Sequence, residues 1–391
     1  MSLYETDLNK LYVPRRASVF DYPLNENDIL PVVYGDLTVS SGIQGGSWVL
    51  PCIDTSNHVY CFADHPVLSV ADGNSVSIYA DGELAAPGYY VFNEADTAYG
   101  SIATVTFTSA QGSKRISARG KGKADPNYSQ NLLYNLIDIA EDFLTGQNNY
   151  DPEMFEPLAK VRARSAFVGE SYQTAGVIDQ EINVWTLLKE MMGSFLGSVY
   201  KNSTGKLVFE VDTNQIPDSQ APIIPISDIR FKSAEQRLDD VVNKITVKYK
   251  FNFVVRDFIS EVSNSDTLSR DIYGDRSLTL FSRWCADQAS AANVADILLR
   301  KFNHPTWRIS FQDMTLKRAH LDVGDFVVAA FPYIYGGDKK TMINQICKIV
   351  ENRPKVNQGR PKVNQGQVEF TVLDTDQYMT DQYGNRDMIR Y

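Results

Sequence analysis

The last third of the chain alternates between apolar and polar positions more regularly than any other part. In the segment VVNKITVKYKFNFVV (241–255), every second side chain is apolar: Ile245, Val247, Tyr249, Phe251, Phe253 and Val255. This period of two predicts one long β-strand with a buried face and a solvated face. Four further segments predict shorter strands: WRISF, DFVVAAF, INQICKIVEN and QVEFTVL.

A helical pattern lies between the long strand and the shorter ones. It is centred on RWCADQASAANVADILLRKF, and its apolar residues share one stripe: Phe281, Trp284, Cys285, Ala291, Ala292, Ala295, Leu298, Leu299 and Phe302. We expect a helix of about six turns, roughly 35 Å long, which would cover a sheet or bridge two subunits.

Residues 30–119 predict short strands that are cut by turns. The strand segments are VVYGDLTV, WVLPCI, HVYCFA, SVSIYA, YYVFN and ATVTFTS. Glycine supplies the positive φ that the tight connections ADGN and ADGE require. This spacing predicts an antiparallel sandwich or barrel. The polar residues 1–29 are interpreted as an arm rather than a core element.

The pattern changes to helical after residue 119. The segment KADPNYSQNLLYNLIDIAEDFLTG predicts a helix with Asp125 at the N-cap, Pro126 at the first position and Gly146 just past the end. Its apolar face is Leu132, Leu133, Leu136, Ile137, Ala140, Phe143 and Leu144. A second helix is predicted over roughly 183–196, with a stripe of Trp185, Leu188, Met192 and Phe195. A hairpin follows, and the proline-rich residues 217–228 are interpreted as a linker.

Length and composition set the broad class. The 391 residues predict about two to four domains, and 43% apolar with 22% charged residues is ordinary for a folded soluble protein. The net charge of −10 argues against gripping nucleic acid as the main task. It fits a soluble surface, or a conduit whose wall must not bind passing DNA. We predict no signal peptide and no membrane insertion, because no apolar run is long enough.

Cysteine and histidine give little indication of chemistry. Cys52 and Cys61 could pair across a hairpin, although reduced thiols in a cytoplasm fit the scattered cysteines better. The densest cluster of ligand-type residues is Cys52, Asp54, His58, Cys61, Asp64 and His65. Its spacing matches no structural zinc pattern, so we expect neither a metal nor a cofactor.

Catalytic motifs are missing from the sequence. It contains no GxxxxGK[ST], GxSxG or HExxH, and no GxGxxG follows a strand. Only four histidines are present, while 48 acidic residues offer too many carboxylate pairs to single one out. We therefore assign no catalytic residue and predict that the chain is not an enzyme.

Two basic segments are candidate contacts with a partner or with a channel. Residues 113–123, SKRISARGKGK, hold Lys114, Arg115, Arg119, Lys121 and Lys123. They would face an acidic partner or DNA phosphates, or they form an ordinary solvated connector. The second segment repeats RPKVNQG in tandem over 353–366 and supplies Arg353, Lys355, Arg360 and Lys362. A neutral exposed hairpin tip is the preferred interpretation of this repeat.

Three phrases resemble the baseplate hub or tail-tip hub proteins of long-tailed bacteriophages. They are ISARGKGK leading into LLYNLIDIAEDFLTG, then VWTLLKEMMGSFLGSVYKNSTGKLVFEV, and ADILLRKFNHPTWRISF followed by LDVGDFVVA. The resemblance implies an α+β, mostly β fold, in which two tail-tube-like β-barrels flank a small α/β insertion. The implied parts are an arm (1–29), a first barrel (30–119), the insertion (120–216), a second barrel with the long helix (217–375) and a polar tail (376–391).

The resemblance also implies an assembly. A ring-shaped homotrimer would adapt a sixfold tail tube or distal tail ring to a threefold spike or tail fibres within a virion. It would contact the tape-measure protein, and DNA would pass through it during ejection. Two alternatives stay open: a receptor- or carbohydrate-binding tip that uses the aromatic segments GYYVFN and FPYIYGG, and a cell-wall or polysaccharide hydrolase.

Overall fold

The structure is a computed structural model that describes residues 8–38, 47–125, 128–202, 204–212, 222–236, 238–313, 321, 326–335, 341–355 and 367–374. Its strands are β1 (Leu11–Tyr12), β2 (Val32–Tyr34), β3 (Trp48–Val49), β4 (Cys52–Asp54), β5 (Val59–Ala63), β6 (Ser77–Ala80), β7 (Glu83–Leu84), β8 (Tyr90–Asp96), β9 (Ile102–Phe107), β10 (Ile116–Arg119), β11 (Ala124–Asp125), β12 (Tyr128–Leu132), β13 (Gly176–Ile178), β14 (Ile182–Asn183), β15 (Gly197–Lys201), β16 (Leu207–Val211), β17 (Ile223–Ile224), β18 (Ile229–Gln236), β19 (Lys244–Asn252), β20 (Asp257–Ser265), β21 (Ser277–Phe281), β22 (Trp307–Asp313), β23 (Phe326–Tyr335), β24 (Thr341–Lys355) and β25 (Gln367–Asp374). Its α-helices are α1 (Leu136–Asp142), α2 (Pro157–Gly169), α3 (Val184–Gly193), α4 (Thr267–Tyr273) and α5 (Gln288–Phe302). The predicted α+β, mostly β class is confirmed.

The chain forms two compact units, and each is built from several stretches of sequence. The first comprises Met1–Asp212, Thr246–Ser263 and Thr279–Ala295, and the second comprises Thr213–Ile245, Asn264–Leu278 and Asp296–Tyr391. Apart from the N-terminal arm, the predicted parts of the chain and their boundaries stay predictions. Within the described ranges, no helix is both long and apolar enough to cross a membrane.

Two antiparallel four-stranded sheets share the main core of the first unit. Their strand orders are β4-β5-β9-β8 and β3-β10-β6-β7. The Trp48 indole from one sheet donates a hydrogen bond to the Phe62 carbonyl of the other at 2.9 Å. The two rings meet edge to face at 4.9 Å, and both side chains are fully buried. The antiparallel strands predicted for residues 30–119 are confirmed.

Residues 8–29 contradict the interpretation of the N-terminus as an arm outside the core. Leu8, Tyr12 and Ala17 are buried, and the Tyr12 ring meets Phe143 edge to face at 5.0 Å. Strand β1 also pairs with β14. The buried apolar residues are too widely spaced for a periodic pattern, and others between them, such as Leu11 and Val19, stay exposed. Residues 1–7 lie outside the described part.

The predicted helix over 126–145 is wrong at both ends. Ala124–Asp125 and Tyr128–Leu132 form the short hairpin β11-β12, so Asp125 caps no helix. Helix α1 begins instead after Asn135, whose side chain accepts a hydrogen bond from the Ile137 amide at 3.0 Å. A π-helical turn over Phe143–Gln147 continues it past Gly146. The predicted apolar face is right from Leu136 onward, because its members there are buried.

Helix α2 has no counterpart in the sequence prediction, whereas α3 was predicted, with its start about one residue early and its end about three residues late. Asn183 caps α3 by accepting a hydrogen bond from the Thr186 amide at 3.1 Å. The buried face of α3 is Val184, Leu187, Leu188, Met191 and Met192. Trp185 does not belong to this face: it is half-exposed and lies under the Lys189 ammonium at 5.2 Å.

The alternation predicted for the long strand holds only as far as Tyr249. Lys250 has φ of 56°, which breaks the extended backbone, and Asn252 becomes buried in place of Phe251. A turn then follows, which leaves Val255 exposed. Strand β19 is the centre of a three-stranded sheet, between β20 and β21.

The long helix is shorter than predicted. Helix α5 has 15 residues and is about 22 Å long. Phe281 ends strand β21 and is 60% exposed, whereas Trp284 and Cys285 are buried in the connection before the helix. The helix starts where the Asp287 side chain accepts a hydrogen bond from the Ser290 amide at 2.8 Å. Aspartate favours this N-cap position, and it stops the helix from extending backward through Trp284.

The second unit contains a six-stranded sheet of order β17-β23-β24-β25-β22-β18. The four shorter strands predicted near the C-terminus are confirmed as β22 to β25. The linker interpretation of 217–228 is wrong for its second half, because β17 pairs with β23 and a 3₁₀ turn spans Ile226–Asp228. Residues 217–221 and the predicted tail (376–391) lie outside the described part.

Candidate functional site

The basic segment 113–123 is an extended stretch whose glycines and lysines face opposite ways. Gly120 and Gly122 are buried, whereas Lys121 and Lys123 between and after them are half-buried. A Cβ on Gly122 would lie 2.3 Å from the Val33 carbonyl oxygen, and one on Gly120 would lie 2.8 Å from the Phe62 ring. The two glycines therefore let this backbone approach the core closely, while the lysine side chains point away from it.

Lys123 is held in an internal polar cluster. Its ammonium donates to both carboxylate oxygens of Asp142 in α1, at 2.7 and 2.9 Å. The Tyr34 hydroxyl donates to the same carboxylate at 2.8 Å. Burial, and then the Asp142 charge, raise the pKa of Tyr34 well above its usual value. Both members of the ion pair are mostly buried, so this lysine stabilises the fold and is not free for a partner.

Lys121 lies at the edge of a polar cleft of about 360 Å³. Its ammonium is 3.6 Å from the Asp36 carboxylate. Asp72 and Asp287 also line this cleft, and its other lining residues are Leu68, Asn131, Leu132, Tyr134, Gln173, Thr174, Ala175 and Ala286. Three carboxylates against one ammonium give the cleft a negative balance, and its lining contains neither histidine nor cysteine. The cleft thus suits a small polar or cationic group rather than an anion.

The other three cations of the segment have different surroundings. The Arg119 guanidinium lies over the Tyr79 ring at 5.9 Å, and Arg115 donates to the Val254 carbonyl at 3.1 Å while its side chain stays exposed. Lys114 is exposed. The structure therefore does not bring the five cations together as one patch. Lys114 and Arg115 are exposed near the turn before β10, although Arg115 also reaches the Val254 carbonyl, and the other three are used within the unit.

The repeated RPKVNQG segment is described only at its start. Arg353 and Lys355 end strand β24, where they lie opposite Glu369 and Gln367 of β25 in the register. Arg360 and Lys362 fall outside the described residues, as does the rest of the repeat. The predicted hairpin context is confirmed, since β24 and β25 pair antiparallel up to the repeat.

The ligand-type residues 52–65 are dispersed rather than gathered. Cys52 and Cys61 are free thiols in two different core clusters. Asp54 accepts hydrogen bonds from the Ser56 and Asn57 amides and so closes a turn. The His58 ring contacts the Thr55 carbonyl in that turn. These roles are structural ones.

The last two residues of this stretch, Asp64 and His65, are buried, and each is hydrogen-bonded to another part of the chain. Asp64 accepts two hydrogen bonds from the Arg15 Nε atom at 2.9 Å. Burial raises the pKa of Asp64, and the bonds from Arg15 oppose that rise. His65 accepts from the Val33 amide through Nε2, so Nδ1 donates to the Pro66 carbonyl. Desolvation lowers the pKa of His65 to about 4, which keeps the ring neutral.

The aromatic segment GYYVFN does not form an aromatic platform. Phe92 packs edge to face on Phe62 at 5.0 Å, and Tyr90 packs on Phe107 at 6.1 Å. Only Tyr89 of the three aromatic side chains is largely exposed. The strand alternation of β8 therefore turns most of this segment's aromatic surface toward the core, while the side chains of the second segment, FPYIYGG, lie outside the described part.

Solved structures resemble this fold at low sequence identity. A chain from the virion of a native gene transfer agent particle matches with a TM-score of 0.51 and 14% identity, over 91% of this chain and 87% of its own. The chain shares the overall fold of that virion chain. The sequence-based resemblance is confirmed at this level, and the identity is too low to transfer residue roles.

Two tail proteins match more loosely. One is the tail protein from Neisseria meningitidis MC58, with a TM-score of 0.36 and 13% identity over 77% of this chain and 96% of its own. The other is the 43 kDa tail protein of prophage MuSo2 from Shewanella oneidensis, with a TM-score of 0.36 and 13% identity over 76% and 79%. No family model matches the sequence, and no curated protein does either.

One pattern in the sequence indicates that the lysines of the basic segment have partners inside the unit. In RGKGK, glycine and lysine alternate, and an extended segment with glycine on one face indicates close backbone contact on that face. Lysines on the other face are then held near the body of the unit, within reach of acidic residues. Asp36 and Asp142 themselves, far apart in sequence, carry no local signal.

Proposed function

We propose that the chain is a structural hub of a phage-like tail, located in the virion, and that it assembles as a ring of three copies. The observation that carries the proposal is the likeness of nearly the whole fold to a virion protein chain. The ring would join a sixfold tail tube or distal tail ring to a threefold spike or fibres, and it would also contact the tape-measure protein.

The surface chemistry supports a passive conduit rather than an enzyme. The net charge of −10 disfavours tight binding of DNA that must pass through. Lys114 and Arg115 point outward in the described structure, and we assign to them the contact with an acidic neighbouring protein. The mostly buried Lys121 and Lys123 are excluded from that role by their internal partners. Arg353, Lys355, Arg360 and Lys362 stay candidate contacts at the hairpin tip.

The oligomeric state of the full chain tests the proposal. Native mass spectrometry at micromolar concentration is expected to give a trimer, and electron microscopy is expected to give rings with a bore wide enough for duplex DNA. A stable monomer by both light scattering and native mass spectrometry would contradict the hub assignment. A hexamer would contradict it as well, since it would place the chain in the tube rather than at the junction.

A further inference from the structure

Helix α2 has an apolar stripe that no described part of the chain covers. Leu158, Val161 and Val168 are 66%, 59% and 56% exposed. Together with the exposed Ser165, they recur at spacings of three, four and three residues. Residues at those spacings share one face of a helix and correspond to the a and d positions of a coiled-coil seam.

The opposite face of the same helix holds it firmly to the first unit. Phe167 is fully buried, and its ring packs on Tyr172 at 5.3 Å and on Phe195 at 5.0 Å. Ala163 is also buried. The stripe is therefore presented on a rigid, preformed helix, so a partner does not have to order it on binding.

Arginines border the stripe on both sides. In the heptad that starts at Leu158, Arg162 occupies the e position and Arg164 the g position. Arg162 is exposed and has no ion-pair partner within the described part of the chain. Arg164 pairs with Asp138 of α1 at 3.0 Å, yet its side chain stays 53% exposed. The helix contains no acidic residue between Pro157 and Gly169.

This charge pattern argues against a second copy of the same helix as the occupant. In an antiparallel pair of α2 helices, Arg162 would face Arg162. In a parallel pair, Arg162 and Arg164 would face Pro157 and Gly169 of the other copy. Neither arrangement gives the arginines a carboxylate partner beside the seam. An occupant with carboxylates in the flanking positions would instead gain two ion pairs.

We infer that α2 is a docking surface for an amphipathic helix of a different protein, one that carries acidic residues on both sides of an apolar seam. The surface is small, since three apolar side chains cover about three turns, far less than a standard interface. Binding by this surface alone is expected with Kd on the order of 100 μM. The inference does not depend on the proposed hub function.

Two designed peptides test the inference. Both have three heptads with isoleucine at a and leucine at d; one carries glutamate at every e and g position, and the other carries lysine. Like charges keep each peptide from pairing with itself. Titration into the full chain, followed by fluorescence anisotropy, is expected to show the glutamate peptide binding at least about tenfold more tightly.

Variants of the chain locate the contact. Val161→Glu is expected to lower the affinity for the glutamate peptide at least about tenfold, because a carboxylate enters the apolar seam. Arg162→Glu is expected to remove the preference or reverse it toward the lysine peptide. Leu84→Glu is the matched control: Leu84 is 64% exposed on β7, and its replacement is expected to change nothing. Circular dichroism checks that each variant keeps its fold.

Several results would overturn the inference. Equal affinity for the two peptides, no binding up to about 1 mM, or an equal loss in Leu84→Glu would each do so. A fall in the oligomeric mass of the chain alone on Val161→Glu would show that a second copy covers the stripe.

Discussion

The basic segment 113–123 and helix α2 show opposite relations between sequence and surface. The segment has the denser charge in the sequence, but Lys121 and Lys123 are drawn inward to Asp36 and Asp142. Helix α2 was not predicted from the sequence, yet its outer face is apolar and carries the exposed Arg162. The difference teaches that the direction of each side chain, rather than the local density of charge, decides which residues are offered to a partner.

The largest effect is expected from the buried face of α2. Phe167→Ala removes a fully buried ring from contacts with Tyr172 and Phe195, and it should lower the free energy of unfolding by about 3–5 kcal/mol. Urea denaturation followed by tryptophan fluorescence measures the change. The neighbouring Val168→Ala is the matched control; because Val168 is exposed, its effect should stay within about 0.5 kcal/mol.

The same two variants also test the contrast between helix α2 and the basic segment. A loss of more than about 2 kcal/mol in Val168→Ala would mean that the outer stripe of α2 is covered in the folded protein. The helix would then be an ordinary core element, and the contrast with the basic segment would disappear.

The second effect concerns His65, which is buried near the cluster of Tyr34, Lys123 and Asp142. The folded-state pKa of about 4 lies below the ordinary 6.5, since desolvation disfavours the charged ring. The unfolded chain therefore binds more protons between these values, and stability is lost as pH falls from about 6.5 to 4. The loss from this group should approach about 3 kcal/mol at the acid end of the window.

A histidine variant isolates that contribution. His65→Gln keeps a polar group near the Val33 amide but cannot titrate, so its unfolding free energy should fall less steeply between pH 6.5 and 4. If the wild type and His65→Gln had parallel pH profiles, the buried environment assigned to His65 would be wrong.

Much of the fold could be predicted because strand alternation is a local property. Period two predicts the strand that begins at Trp307. The strands around Phe62, where β5 is buried on both faces, follow instead from short apolar segments cut by turn residues. Failures came where a single residue changes the backbone or the end of an element. The positive φ of Lys250 ends the alternation of β19, and the Asn135 and Asp287 caps move two helix starts.

The candidate sites were harder to predict, because they depend on contacts between distant residues. Asp142 lies 19 positions from Lys123, and no pattern near either residue couples them. Helix α2 escaped prediction for another reason. Its apolar residues point to two opposite faces, Phe167 inward and Val161 outward, so the usual single stripe of an amphipathic helix is absent.

The smallest effect comes from the basic segment itself and gives the sharpest test of its internal role. Lys123→Ala leaves the mostly buried Asp142 without its ammonium partner, so the free energy of unfolding should fall by about 2 kcal/mol. This is below the range for a fully buried pair, because both side chains keep some exposure to water. Lys114→Ala, in the same segment but exposed, should change stability by less than about 0.5 kcal/mol.

A double-mutant cycle with Asp142→Asn separates the energy of the ion pair from other losses, since Lys123→Ala should cost less once the carboxylate is neutral. If the two lysine variants were equally mild, Lys123 would be as free as Lys114, and the whole segment would again be a candidate contact surface.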